Sequence, residues 1–343
     1  MVKTLWRALS ILLFGFLVGV PVLKVEPVKA SLNANIPASI PGQPIVYLAG
    51  HGTESFRVAA PAQDSALLLR TSAAISVNYL AAGATDGSDT CYAWPAGSQA
   101  AFSYAASIWA TLITSPVPIQ IAACWAHLAT GILGHSRTDN FYRGFTGAPQ
   151  ANTWYPAALA NSLAGYDLSG TDSTPEIHIA YSDNGINWYF GTNGTTPMGS
   201  YDFVSVVLHE ITHGLGFAGS MNYGTGCGGA NLGCWGWGSS YPAAYDRFTQ
   251  NGSGQALLTA FSNPSLALGS ALTSNNVWFA GANAMAANGG SPVKLYAPSS
   301  WVGGSSYSHL DESFNGTANA LMTYSLNDGE SVHDPGPITL GLL

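Results

Sequence analysis

Residues 202–219, DFVSVVLHEITHGLGFAG, constrain this chain more than any other stretch. The apolar run before the first histidine has helical spacing, and Asp202 stands where a side-chain oxygen caps a helix N-terminus. Successive helical residues turn by about 100°, so His209 and His213 come round to within about 40° of each other. Two imidazoles one turn apart on one face can close on a single metal ion. Val204, Leu208, Ile211 and Leu215 take the other side and are expected to press the helix into a core. Glu210 lies on the flank of the histidine face, beside the ion and not aimed at it, which is where a base for a metal-activated water has to stand. Gly216, three residues past His213, permits the left-handed turn that ends a helix and reverses the chain. The spacing therefore predicts His209 and His213 as metal ligands and Glu210 as the catalytic general base.

Catalytic zinc takes three protein ligands and keeps one position for water, so a third ligand is required. No glutamate occurs between Glu210 and Glu312, which excludes a Glu ligand from a following helix. The position six residues after His213, where a compact motif would carry a histidine, is Gly219. Between His213 and Glu312 the one histidine is His309 and the carboxylates are Asp246 and Asp311. His309 is the expected third ligand, with Asp246 and Asp311 as alternatives, and the expected cofactor is one catalytic Zn2+.

HEITHGLGF, then a large Gly-rich insertion, then SHLDESFNGTANALM, together resemble the leishmanolysin-like branch of the metzincin zinc metallopeptidases and its secreted bacterial relatives. The likeness is strongest over 200–217 and 307–337. It implies a zincin-type catalytic domain with a mixed twisted sheet, an active-site helix and the third ligand delivered after the insertion. An upper subdomain over 72–216 and a lower one over 217–343 would enclose a cleft. Met322, thirteen positions after His309, would make the turn beneath the metal. Tyr324 would approach the metal or the oxyanion, the alternative being a tyrosine packed in the cleft wall. A peptide substrate would lie extended along an edge strand, for which EIHIAY over 176–181 is the candidate.

The remaining periodicity predicts an α+β fold. AISVNYL over 74–80, VPIQIAA over 117–123 and EIHIAY read as strands, and 99–114 reads as a helix after Pro95 and Gly97. Pro337 looks like the opening of a short final helix. His51, His127, His135 and His178 lack partners at ligand spacing and are expected in core or surface roles, and His333 is expected to hydrogen-bond near the last helix.

At the N-terminus, Lys3 and Arg7 precede an apolar run over 8–20, and Ala30 closes a VKA triplet. This predicts a signal peptide over 1–30 cleaved after Ala30 and a secreted, extracellular protein with no stable membrane anchor. Residues 31–71 are rich in Pro, Ala and Ser with little periodicity, which fits a leader or short pro-segment better than a folded module. An exported chain is expected to oxidise its cysteines. Cys91 with Cys124 and Cys227 with Cys234 are the favoured pairs, the latter two flanking the short GGANLG stretch. A four-cysteine zinc site is the alternative, disfavoured because no CxxC pair exists.

Only 8% of residues are charged, against roughly 25% in an average soluble domain. With ten Lys+Arg and a formal net charge of -8, the chain carries no basic stripe, so a nucleic acid partner is not expected. The expected partner is a protein or peptide substrate, and the expected activity that of a secreted zinc metalloendopeptidase. The competing readings are a catalytically silent binding or adhesion module on the same fold and a zinc hydrolase of a non-peptide substrate. Retention of Glu210 argues against a silent site.

Overall fold

A computed structural model describes residues 37–53, 55–62, 72–170 and 174–343. The expected signal peptide over 1–30 lies outside the described residues. Six strands make the main sheet: β1 (Ile45–Thr53), β2 (Ile75–Tyr79), β3 (Ile119–Ala126), β4 (Ile132–Thr138), β5 (Ile177–Ser182) and β6 (Ser325–Asp328), in the spatial order β6-β1-β4-β5-β3-β2. The long helices are α1 (Ser98–Leu112), α2 (Ala157–Ala164) and α3 (Phe203–Leu215). The fold is α+β with a mixed sheet, as the periodicity predicts.

Strands β2, β3 and β5 run parallel. The parallel step from β2 to β3 needs a crossover, which α1 supplies. β3 is buried along almost its whole length, as a central strand covered on both faces should be. β4 alone is antiparallel to its neighbours, pairing β5 on one side and β1 on the other.

Helix α3 is buried at every position from Phe203 to Leu215, so it has no solvent face. The amphipathic pattern expected from the sequence is overridden because α1 covers one side, where the indole nitrogen of Trp109 donates to the carbonyl of Leu208 at 3.1 Å, and the sheet covers another. A Cβ at position 214 would come within 2.3 Å of the Ile177 side chain, so Gly214 is what lets the helix settle onto β5.

One expectation is corrected here. The 176–181 strand is β5, and it is not an edge: β3 and β4 flank it and use both rows of its backbone groups. Its near-continuous apolar sequence is that of an interior strand. Residues 31–71, read from the sequence as a leader or short pro-segment, supply β1, which lies inside the main sheet between β4 and β6. Prolines 41 and 44 break the period just ahead of a good strand, IVYLAG, and obscured it. Residues 31–36, 54 and 63–71 of that stretch lie outside the described residues.

The insertion between His213 and His309 builds its own three-stranded sheet from Thr249–Asn251, Val277–Phe279 and Val293–Lys294, with short helices Leu266–Leu272 and Ala282–Ala287. The cysteines are joined as Cys91–Cys124 and Cys227–Cys234, the pairing favoured by spacing.

Candidate metal centre

Helix α3 begins at Asp202, whose carboxylate accepts from the Ser205 backbone N–H at 2.8 Å and the Ser205 hydroxyl at 2.6 Å. Its other oxygen accepts from the Thr196 hydroxyl at 2.7 Å, and His333 Nε2 lies 2.8 Å from the first. The N-cap is thus a buried hub tied to residues 331–333, and the partner of His333 is the start of α3, not the final helix, Gly336–Leu342. At the other end Gly216 has φ 143°, a left-sided backbone that favours glycine, and turns the chain away.

Between these ends His209 and His213 project from one face, and His309 reaches them after the insertion. Their Nε2 atoms lie 2.9 Å (209 to 213), 3.1 Å (209 to 309) and 3.2 Å (213 to 309) apart. Each opposite nitrogen is held by a backbone carbonyl: His209 Nδ1 by Leu321 at 2.6 Å, His213 Nδ1 by Phe217 at 2.7 Å and His309 Nδ1 by Ser305 at 2.7 Å. A carbonyl only accepts, so each Nδ1 carries the proton and each Nε2 presents a lone pair. Three lone pairs facing one another have nothing to share but repulsion. A cation is the group that satisfies them, and tetrahedral zinc, with bonds of about 2.0–2.1 Å, places neighbouring ligand atoms about 3.3 Å apart. The donor set fits.

Burial reinforces this. All three rings are sealed from solvent. Loss of hydration pulls the His209 and His213 imidazoles well below their usual range, neighbouring imidazoles adding to the effect, and burial pulls His309 down to about 4. Neutral rings are the form that binds metal. Glu210 is likewise fully buried, and neither carboxylate oxygen has a hydrogen-bond partner. Burial alone would push its acid well above the carboxylate range. A dication held by the three rings would favour the ionised form instead. A Cβ at Gly134 of β4 would lie 3.1 Å from Glu210 Oε1, which places the carboxylate over that strand.

The alternatives for the third ligand are engaged elsewhere. Asp246 accepts from the backbone N–H groups of Ser220 at 2.9 Å and Ala243 at 2.8 Å and from the Tyr307 hydroxyl at 3.0 Å. Asp311 caps a short 3-10 turn and lies 3.2 Å from the Lys294 ammonium. Met322 is fully buried in the 3-10 turn Ala320–Met322, and its carbonyl accepts from the Leu310 N–H at 2.8 Å. That turn carries the Leu321 carbonyl which orients His209. Tyr324 is stacked on Tyr296, ring centroids 4.1 Å apart.

Four other histidines pair with carboxylates away from the triad: His127 with Asp183, His135 with Asp89, His178 with Asp86 and Asp139, and His333 with Asp202. One contact of the triad has no signature in the sequence. Tyr47 of β1 lies flat on the His209 ring, centroids 3.5 Å apart and planes within 5°.

A family model described as SPBPB7E8-like matches residues 150–224, a stretch that includes α2, α3, His209, Glu210 and His213 and stops short of His309. No curated protein and no solved structure matches the chain.

Proposed function

We propose that this protein is a secreted zinc endopeptidase of the metzincin type, with His209, His213 and His309 as ligands and Glu210 as general base. The observation that carries the reading is the convergence of three Nε2 lone pairs, each fixed by a carbonyl behind it, beside a buried carboxylate with no other partner. The mixed sheet, the helix ending at Gly216, the delayed third histidine and the turn at Met322 agree with the metzincin pattern. The paired cysteines agree with export.

Zinc held there would supply the positive charge that acidifies a water and polarises a peptide carbonyl. Glu210 receives the proton from the attacking water and passes it to the leaving amine nitrogen. Its burial keeps bulk water from competing for that proton. The Leu321, Phe217 and Ser305 carbonyls hold the three rings in the tautomer and orientation the ion requires. Met322 shapes the floor beneath His209, and Tyr324, set in a stacked pair, belongs to the cleft wall.

The test is zinc content by mass spectrometry and casein digestion for the wild-type chain and Glu210→Gln. One zinc per chain in both proteins, with digestion lost only in the variant, is the expected result. Equal digestion by the two removes Glu210 from its role, and zinc-loaded chains that cleave only a non-peptide ester would move the reading to another hydrolase class.

A further inference from the structure

His309 joins the triad 96 positions after His213, so the two ends of the insertion have to be held in register. The chain leaves through 217–220 and returns through 305–309, and Phe217 and Ser305 supply the carbonyls behind His213 and His309. The two ends meet at Gly219. Its N–H donates to the Ser308 hydroxyl at 3.2 Å, and the Tyr307 ring lies so close that a Cβ at 219 would come within 2.0 Å of its Cε1. Glycine leaves that seat open where any side chain would fill it. A third segment locks the pair. Asp246, in the 3-10 turn Tyr245–Phe248, is fully buried. It accepts from the Ser220 backbone N–H at 2.9 Å and the Ser220 hydroxyl on the outgoing side, and from the Tyr307 hydroxyl at 3.0 Å on the returning side. Beside it Tyr245 donates its hydroxyl to the Tyr307 carbonyl at 3.0 Å.

Tyr307 is held at φ 74°, in the left-handed region that a bulky residue rarely adopts. Such a backbone persists only where its surroundings over-determine it. Here every polar group of Tyr307 is engaged: its N–H donates to the Tyr296 carbonyl at 2.7 Å, its carbonyl takes Tyr245, and its hydroxyl takes Asp246. Two residues on, the His309 carbonyl accepts from the Tyr296 N–H at 2.9 Å. None of these contacts needs an ion. We infer that Asp246 and Tyr307 form a clasp that closes the insertion and sets His309 opposite His209 and His213 before a metal arrives. Both are positioning residues of the metal centre, acting through the backbone that carries the third ligand. A histidine on a loose return of that length would have to be ordered by the ion, which would weaken binding, whereas one already in place adds its full contribution. The inference rests on the zinc reading of the triad and is independent of what the protein cleaves.

The test uses the full chain, stripped with chelator and titrated with Zn2+ and with Co2+ below its melting temperature. Tyr307→Phe keeps the ring on Gly219 and removes the hydroxyl from Asp246. Gly219→Ala keeps the hydroxyl and pushes the ring off its seat. Each is expected to weaken zinc binding about tenfold or more by chelator competition, the scale on which residues that orient a ligand act. Each is also expected to alter the visible absorption of the Co2+ form, which reports the geometry of the ligands. Variants that melt earlier but bind Zn2+ and absorb with Co2+ as wild type does overturn the inference and leave the zinc reading standing. Should neither variant fold, hydrogen exchange on the wild type decides. The Tyr307 and Leu310 amides are expected to be equally protected with and without zinc, and protection that appears only with zinc overturns the inference. A wild-type chain that takes up neither ion overturns the zinc reading and the clasp's role together.

Discussion

At the residue scale, the three histidines do different work from the rest of the chain's imidazoles because each is buried, neutral and backed by a carbonyl. His309→Ala is expected to weaken zinc binding at least 100-fold by chelator competition, since two nitrogens from one helix cannot complete the set. Glu210→Gln is expected to keep zinc and lose about 10²–10⁴ of kcat. The low imidazole pKa values also set a pH dependence. With His309 at about 4 in the folded chain and about 6.5 when unfolded, the unfolded state binds more protons across that window. Stability of the chelator-stripped protein is therefore expected to fall as pH drops from about 6.5 towards 4, read by thermal melts across the range. His209, Glu210, His213 and His309 were legible because side-chain type and spacing encode them. The carbonyls of Leu321, Phe217 and Ser305 were not, because a backbone group has no residue signature and Leu321 lies 112 positions from the ring it holds.

At the element scale, α3 is fixed at its start by Asp202, which carries four partners. Asp202→Ala leaves buried donors unmet and is expected to destabilise the fold by about 3 kcal/mol, measured by denaturant unfolding. The sheet has a second electrostatic joint at His178. Burial works against its charge, but hydrogen bonds to Asp139 and Asp86 outweigh that and raise its pKa, while both carboxylates are lowered. The stabilisation is complete below the unfolded value of about 6.5 and is lost as pH rises through the higher folded value. His178→Gln is accordingly expected to lower the melting temperature more at pH 6 than at pH 9. The strands over 75–79, 119–126 and 177–182 and helices α1 and α3 were legible from local period. The interior position of β5 was not, because edge or centre is decided by which strand arrives beside it, and that strand is β4, whose ILGHSRT sequence carries no clear strand period.

At the scale of the molecule, the ion would tie α3 of the sheet layer to the His309 segment beyond the insertion, so zinc is expected to act as a staple. Addition of zinc to the stripped chain should raise the melting temperature in a concentration-dependent way. The position of β1 carries a topological corollary. β6 is an edge strand whose neighbour in the main sheet is β1, so the segment just past the Met322 turn reaches the sheet through residues 45–53. Trimming the chain through that stretch would cast β6 adrift and loosen the Leu321 carbonyl that stands behind His209.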